Sequence, residues 1–326
     1  MLRHAWYAVI PSSDLGSTPV EAIVCATPLV LFRDSFGVPH AFLSQCPHRG
    51  CDLSIGTVVG NHLVCPYHGW RFDERGRCVH VPANRSGMKI PDAARLQVYP
   101  VCDRVGLTWV YASPIGNNDT LPDLSLFPEL GQRDWQYVPF QTSWNANICR
   151  VVESVLDVSH LPFVHPETTG EDVCPVVHGP DYFFSTRGII IHPTPFAPSH
   201  PLEPIPAPEG VADRTEIELI FPNHWTIRTP MGDDKWMCTF LTFSPIRPDA
   251  TKIFGIAMRN FDTDSVFLDD FHVEHTKFVM EQDRAIVERL RPVVPPPLKH
   301  ESHVPSDAPA IRFRAMLFDA LKREIT

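Results

Sequence analysis

Along the first hundred or so residues, apolar positions come in short bursts separated by turn material and not in the three-to-four-residue rhythm of a helix. The stretches 6–10, 28–33, 62–65 and 105–111 read as strands, with Asp34-Ser35-Phe36-Gly37 and Asp73-Glu74-Arg75-Gly76 as turns. Short strands at that spacing predict a β-sandwich over residues 1–112. Residues 113–134, rich in Gly, Asn, Asp and Pro, read as a linker. The pattern then changes. A helix is expected over 148–161, stopped by Pro162. Strand-like stretches follow at 183–191, 216–221, 224–229, 236–243 and 252–260. The amphipathic run 266–291 is the longest helix, ending before Pro292, and a last helix covers 310–324. Several antiparallel strands with one long helix make 135–326 an α+β domain. Two domains suit a chain of 326 residues, because single cores stop growing at about 250–300 residues.

Composition adds mostly exclusions. A hydrophobic content of 44% with 20% charged residues is that of an ordinary soluble protein. The net charge of −10 argues against nucleic acid or an anionic membrane as a partner. The N-terminus lacks the apolar core of a signal peptide, and no run of 18 apolar residues exists to span a membrane. The 34 prolines gather at 192–208, which holds seven, and at 292–297. The first cluster reads as a stiff surface loop or as the rim of a substrate pocket.

Chemistry enters with the cysteines. There are nine, and only two have metal-ligand neighbours. Cys46-Pro47-His48-Arg49-Gly50 is followed by Cys65-Pro66-Tyr67-His68-Gly69-Trp70, so each of two loops offers one thiolate and one imidazole. Two cysteines and two histidines define a Rieske [2Fe–2S] centre, whose potential lies above that of an all-cysteine cluster. A structural zinc takes the same residue types, but its loops carry Cys-x-x-Cys or His-x(3–5)-His pairs.

A second set follows on the predicted helix. Glu153, Asp157 and His160 lie at i, i+4 and i+7 on one face, and Val151, Val152, Val155, Leu156 and Val158 surround them. Such a polar stripe is costly to bury unless it is paired or binds metal. His165, after Pro162, brings a second imidazole. Two imidazoles and one carboxylate make the facial triad of non-haem iron(II) oxygenases. Asp157 and Glu153 are local candidates for the carboxylate. Asp283 is the third, and it is favoured because Val279, Met280, Ile286 and Val287 flank it on the long helix. Glu281, between Lys277 and Arg284, reads as a solvated face. Cys149 shares the stripe and reads as packing, and Asn223 and His224 are possible pocket residues.

These motifs together resemble the oxygenase (alpha) subunit of the Rieske non-haem iron oxygenases, nearest to the alpha-only monooxygenases and demethylases and the cyanobacterial toxin-tailoring members. Asp-x-x-His-x(4)-His with a distant Asp is similar to the family's mononuclear iron motif, and the likeness covers essentially the whole chain. The resemblance implies a helix-grip catalytic domain behind the Rieske domain. It also implies a cluster on Cys46, His48, Cys65 and His68, and iron(II) on His160, His165 and Asp283. Asn147 and Glu153 would stand around that iron. Asp157 would bridge His160 to His68 of the next chain in a homotrimer. Cys51 sits where respiratory Rieske proteins place half of a disulfide, but Tyr67 occupies the partner position, which favours a reducing cytoplasm. No Gly-x-Gly-x-x-Gly motif opens a helix, so NAD(P)H would act through a separate flavin reductase or ferredoxin. The expected activity is O2-dependent monooxygenation of a small organic molecule, by C–H hydroxylation or by O- or N-demethylation. The alternatives are cis-dihydroxylation, or an electron carrier whose second domain is inactive.

Overall fold

The computed structural model describes residues 1–114, 120–170, 173–177, 181–185, 187–194, 196 and 214–325. They form two compact units, Met1–Leu124 and Ser125–Thr326. The first contains β1 (Trp6–Pro11), β2 (Val20–Val24), β3 (Thr27–Arg33), β4 (Pro39–Leu43), β5 (Thr57–Val59), β6 (His62–Val64), β7 (Arg71–Phe72), β8 (Cys78–His80), β9 (Val98–Tyr99), β10 (Val101–Arg104) and β11 (Leu107–Tyr111). They pair as three sheets, β1-β11-β10, β2-β3-β4-β9 and β5-β6-β7-β8. Val30, Phe32, Phe42, Leu53, Leu63 and Phe72 form a core that also encloses Cys46 and Cys65. Each fully buried side chain of this kind contributes roughly 1.5–3 kcal/mol, so the two thiols are seated in one of the firmest parts of the unit. β11 begins two residues later than the sequence suggests, because Val105 and Gly106 both take positive φ (48° and 77°) and form the turn from β10.

The second unit is built on one antiparallel sheet of seven strands. In chain order its elements are β12 (Gln136–Trp144), α1 (Ile148–Leu156), α2 (Leu161–Val164), α3 (Pro166–Thr169), β13 (Asp181–Phe184), β14 (Gly188–His192), β15 (Glu216–Ile220), β16 (His224–Pro230), β17 (Trp236–Arg247), β18 (Ala250–Arg259), α4 (Val266–Val287) and α5 (Ala308–Ile325). The sheet order is β12-β18-β17-β16-β15-β14-β13. Strand alternation sends Trp225, Thr239 and Arg259 to one face, where each meets a helix. Trp225 Nε1 donates to the Val155 carbonyl of α1 at 3.0 Å, Thr239 Oγ1 pairs with His272 Nε2 of α4 at 3.0 Å, and Arg259 pairs with Asp269 of α4. The opposite face carries Phe240, against which Phe127 packs edge-on at 5.9 Å.

Several expectations are corrected. The helix expected over 148–161 stops at Leu156, since Asp157 takes an extended backbone (φ −85°, ψ 136°). Its carboxylate accepts from the Ser159 amide at 2.8 Å and the Ser159 hydroxyl at 2.6 Å, the local bonding by which Asp competes with a helix. Pro162 is therefore not the breaker. It lies in the first turn of α2, where its missing N–H goes unmissed. The expected strand 183–191 is two strands of a hairpin, because Ser185 Oγ accepts from the amides of Arg187 and Gly188 and turns the chain. β12 falls where no strand was expected, and α4 ends at Val287 and not at 291. Residues 125–134 of the expected linker belong to the second unit, where Phe127 is 2% exposed. Apart from 192–194 and 196, the proline cluster at 192–208 lies outside the described residues.

Two buried histidines give a pH prediction. Burial pushes His224 down to about 3. Burial, with Arg259 and His275 nearby, pushes His272 down to about 4. Both are neutral in the fold, while an unfolded chain protonates them near pH 6.5. Their contribution is complete above pH 6.5 and is lost as pH falls, by roughly 1.4 kcal/mol per unit for each histidine until the folded groups titrate. Urea midpoints at pH 7.5 and 5.5 should show His224→Gln and His272→Gln each with a smaller acid loss than the native protein. Equal losses in all three would refute the assignment.

Candidate metal centres

In the first unit, the two Cys/His loops have the same backbone. Cys46 N–H donates to Cys51 O and Gly50 N–H to Cys46 O, at 2.9 and 2.8 Å. In the second loop, Cys65 N–H donates to Trp70 O and Gly69 N–H to Cys65 O, both at 2.9 Å. Gly50 and Gly69 take φ of 71° and 70°, a left-handed turn that residues with a β-carbon rarely adopt. At Gly69 a β-carbon would also stand 3.0 Å from Pro82. The loops differ in one respect, since histidine is the second residue after cysteine in one and the third in the other. The rings of His48 and His68 come to 4.5 Å between centroids, and Trp70 stacks on His48 at 4.4 Å.

These residues fit a metal cluster on their own chemistry. Burial, with Cys65 adjacent, pushes the Cys46 thiol up to about 12, so a thiolate forms at Cys46 only against a strong local cation, and a coordinated metal supplies one. His48 Nδ1 is buried without a hydrogen-bond partner. An orphaned polar atom of that kind costs roughly 1–3 kcal/mol, which a bond to metal removes.

In the second unit, His160, His165 and Asp283 each offer a ligand atom within 4.8 Å of the others. His160 Nε2 and His165 Nε2 lie 3.3 and 3.0 Å from Asp283 Oδ1. His165 is buried and the other two are half-buried. Burial disfavours a charge on His160, yet its hydrogen bonds with Asp157 and Asp283 outweigh that and raise it to about 9. Burial pushes Asp283 up, but the two histidines hold it below the ordinary carboxylate value. The two carboxylates favour a positive charge at this point, and the two Nε2 atoms with Oδ1 are the 2-His-1-carboxylate set that suits a divalent cation. A cavity of about 490 Å³ adjoins them, lined by Asp157, His160, Asp283, Ile286 and Val287 among others.

Other sequence candidates are used differently. Asn147 caps α1, accepting from Cys149 N at 3.0 Å and donating to Pro248 O at 2.6 Å, so both ends of its amide are engaged away from the triad. Glu153 lines the same cavity, but its carboxylate is taken by Arg314 Nε and Nη2. Arg314 and Arg150 also both pair with Glu301, and Arg150 with Glu153, which makes a largely buried ring of two arginines and two glutamates joining α1, α5 and the segment before α5. Cys149 Sγ donates to Glu153 at 3.5 Å, consistent with packing. Asn223 and His224 are buried in the sheet, where His224 Nδ1 meets Thr242 at 3.0 Å. Asp157 does contact the triad, with Oδ2 3.3 Å from His160 Nδ1. Glu281 is exposed and paired with Arg284. Two residues went unforeseen. Gln282 Oε1 lies 2.8 Å from His165 Nδ1, and Gln282 Nε2 donates to Glu167 at 3.0 Å. Neither has a spacing signal in the sequence.

Among the described residues no helix is long and apolar enough to cross a membrane. The family model for the Rieske [2Fe–2S] domain matches residues 5–100, and that for the vanillate O-demethylase oxygenase C-terminal domain matches residues 144–323. The oxygenase component of dicamba O-demethylase from Stenotrophomonas maltophilia is 33% identical over 167 residues, 50% of this chain and 48% of that protein. Methylxanthine N1-demethylase NdmA from Pseudomonas putida is 28% identical over 327 residues, 97% of this chain and 88% of that protein. The crystal structure of dicamba monooxygenase bound to dicamba has the same fold, with a TM-score of 0.78 at 22% identity over 100% of this chain and 99% of that one. The match to the dicamba O-demethylase component thus spans about half of that relative's length. With a Rieske domain followed by an oxygenase domain model that matches more than half of its length, the chain belongs to the Rieske non-haem iron oxygenases, as an oxygenase subunit whose cofactors are a Rieske [2Fe–2S] cluster and non-haem iron(II).

Proposed function

We propose that this protein is the oxygenase component of an O2-dependent monooxygenase, with Cys46, His48, Cys65 and His68 holding the cluster and His160, His165 and Asp283 holding iron(II). The observation that carries this reading is the convergence of two imidazoles and one carboxylate beside a cavity, in a chain that also presents two matched Cys/His loops. When bound, the metals supply the electron relay and the O2-activating centre. The chain's own residues present the two Nε2 atoms and Oδ1 to one point, and Asp157 orients His160. The reaction takes RH, O2, two electrons and two protons to ROH and water. On an O- or N-methyl group the hydroxymethyl product loses formaldehyde, leaving the free hydroxyl or amine. Relatives named as O- and N-demethylases favour such substrates. A separate reductase or ferredoxin supplies the electrons from NAD(P)H, and the enzyme works in the cytoplasm.

A homotrimer accounts for the exposed surroundings of both centres. His68 lies at an exposed loop tip beside Tyr67, which is 63% exposed. In the second unit the Asp157 side chain is 30% exposed, and nearby Phe163 is 73% exposed. In a head-to-tail ring of three, His68 of one chain would meet His160 of the next across Asp157, whose carboxylate can accept from both rings.

The pure protein should be red-brown, with about two labile sulfides and about three irons per chain. A colourless protein with zinc would refute the reading. Substrate-stimulated O2 consumption, with a reductase and a panel of methoxyarenes and N-methyl heterocycles, tests the reaction, and formaldehyde release separates demethylation from ring hydroxylation. Asp283→Ala should keep the cluster spectrum, lose about one iron per chain and cut turnover roughly a hundredfold or more, while Glu281→Ala should be near silent. For the ring of three, His48→Ala and Asp283→Ala chains co-expressed as mixed trimers should regain partial turnover. Mixed oligomers shown to form without recovery would place electron flow within one chain and remove the bridging role of Asp157.

A further inference from the structure

The two imidazoles of the triad are held from behind by different kinds of group. His160 Nδ1 faces the Asp157 carboxylate at 3.3 Å. His165 Nδ1 faces the side-chain amide of Gln282 at 2.8 Å, and that amide reaches Glu167 Oε2 at 3.0 Å. An amide is ambiguous, because either end can face a histidine. The outer end of this chain removes the ambiguity. An ionised carboxylate only accepts hydrogen bonds, so Gln282 must turn its NH2 to Glu167 and its carbonyl to His165. A carbonyl also only accepts, so His165 must carry its proton on Nδ1. With a proton held on Nδ1, Nε2, which faces Asp283 Oδ1 at 3.0 Å, is the nitrogen that can give its lone pair to a cation shared with that carboxylate.

We propose that Glu167 is a positioning residue that sets the metal-binding tautomer of His165 by fixing the Gln282 amide. This rests on reading His160, His165 and Asp283 as the iron site. Without the carboxylate, the Gln282 amide turns over freely and offers an N–H to Nδ1. The imidazole proton then moves to Nε2 and closes that nitrogen to the metal. Glu167 touches neither metal nor His165 side chain, yet its charge type determines which nitrogen of the ring is available.

The test measures how tightly the full-length protein, with its cluster in place, holds the mononuclear iron against a chelator. Cluster absorbance reports integrity in each variant. Glu167→Leu should weaken iron binding about tenfold, and Glu167→Gln should do nearly the same, because a second amide can donate as well as accept. Gln282→Glu alone should also bind poorly, since it sets two carboxylates against each other. The double variant Glu167→Leu with Gln282→Glu should recover to within about threefold of native binding, because a carboxylate beside Nδ1 dictates the tautomer unaided. A packing role predicts that the two losses add. Native protein that holds no iron beyond the cluster would overturn the iron reading and this inference with it. Native protein that holds the iron, with Glu167→Leu binding equally well or the double variant as weak as its parents, would overturn the inference alone.

Discussion

The Asp157 carboxylate accepts from the amide and hydroxyl of Ser159 while it faces Nδ1 of His160, and the catalytic unit is arranged around that turn. Had α1 run on, His160 would lie on the face of Glu153 and Asp157, about one turn further along the same axis. Because the helix stops at Leu156, the chain can fold through two short helices and return His165 to within ring contact of His160, 5.2 Å between centroids. One side chain therefore both ends the helix and aims an imidazole, which ties secondary structure to ligand geometry.

A turn of this kind orients an imidazole only if the elements on either side are fixed. α1 is held along its length, by the Asn147 cap at its start, by Arg314 on Glu153 in its middle, and by Trp225 donating to Val155 O near its end. α4 is held by the Ser265 cap, by Arg259 on Asp269 and by Thr239 on His272. The two helices are also joined, because Glu288 just past α4 accepts from the Asn145 amide just before α1 at 2.7 Å. Buried ion pairs such as Arg314–Glu153 add little net stability against an apolar alternative. What this one does is tie α1 to α5 at a defined point, Glu153 to Arg314. Asp283 and His160 meet because both helices are fixed in this way.

Much of the site was legible in the sequence because ligand sets are written in residue type and short spacing. Cys-x-His with Cys-x-x-His, and His160 with His165, need no tertiary information. Asp283 was legible for a different reason, a carboxylate flanked by apolar residues at helical spacing. What failed has more than one cause. Asp157 and Asn147 each bond to the backbone two residues on, which helical periodicity does not register, so the end and the start of α1 were not legible from the pattern. Glu153 sits on the stripe as expected, but its partner lies 161 residues away. β12 was missed because its alternation is mostly half-exposed.

The Gln282–Glu167 chain shows the same limit from the other side. Gln282 adjoins Asp283 in sequence and points to the other imidazole in space, a contact fixed only when the chain after His165 folds against α4. The result is an asymmetric pair of imidazoles. His160 is backed by an anion that is partly exposed at the surface, and His165 by a neutral amide that in turn donates to Glu167. An anionic partner strengthens an imidazole as a donor more than a neutral one does, so the two Nε2 atoms are not equivalent toward a shared cation. It also means that a disturbance at the exposed side of Asp157 reaches the triad through His160 alone. Asp283 Oδ1 is the atom that faces both rings, 3.3 Å from His160 Nε2 and 3.0 Å from His165 Nε2, so the carboxylate on α4 joins the two unequal imidazoles.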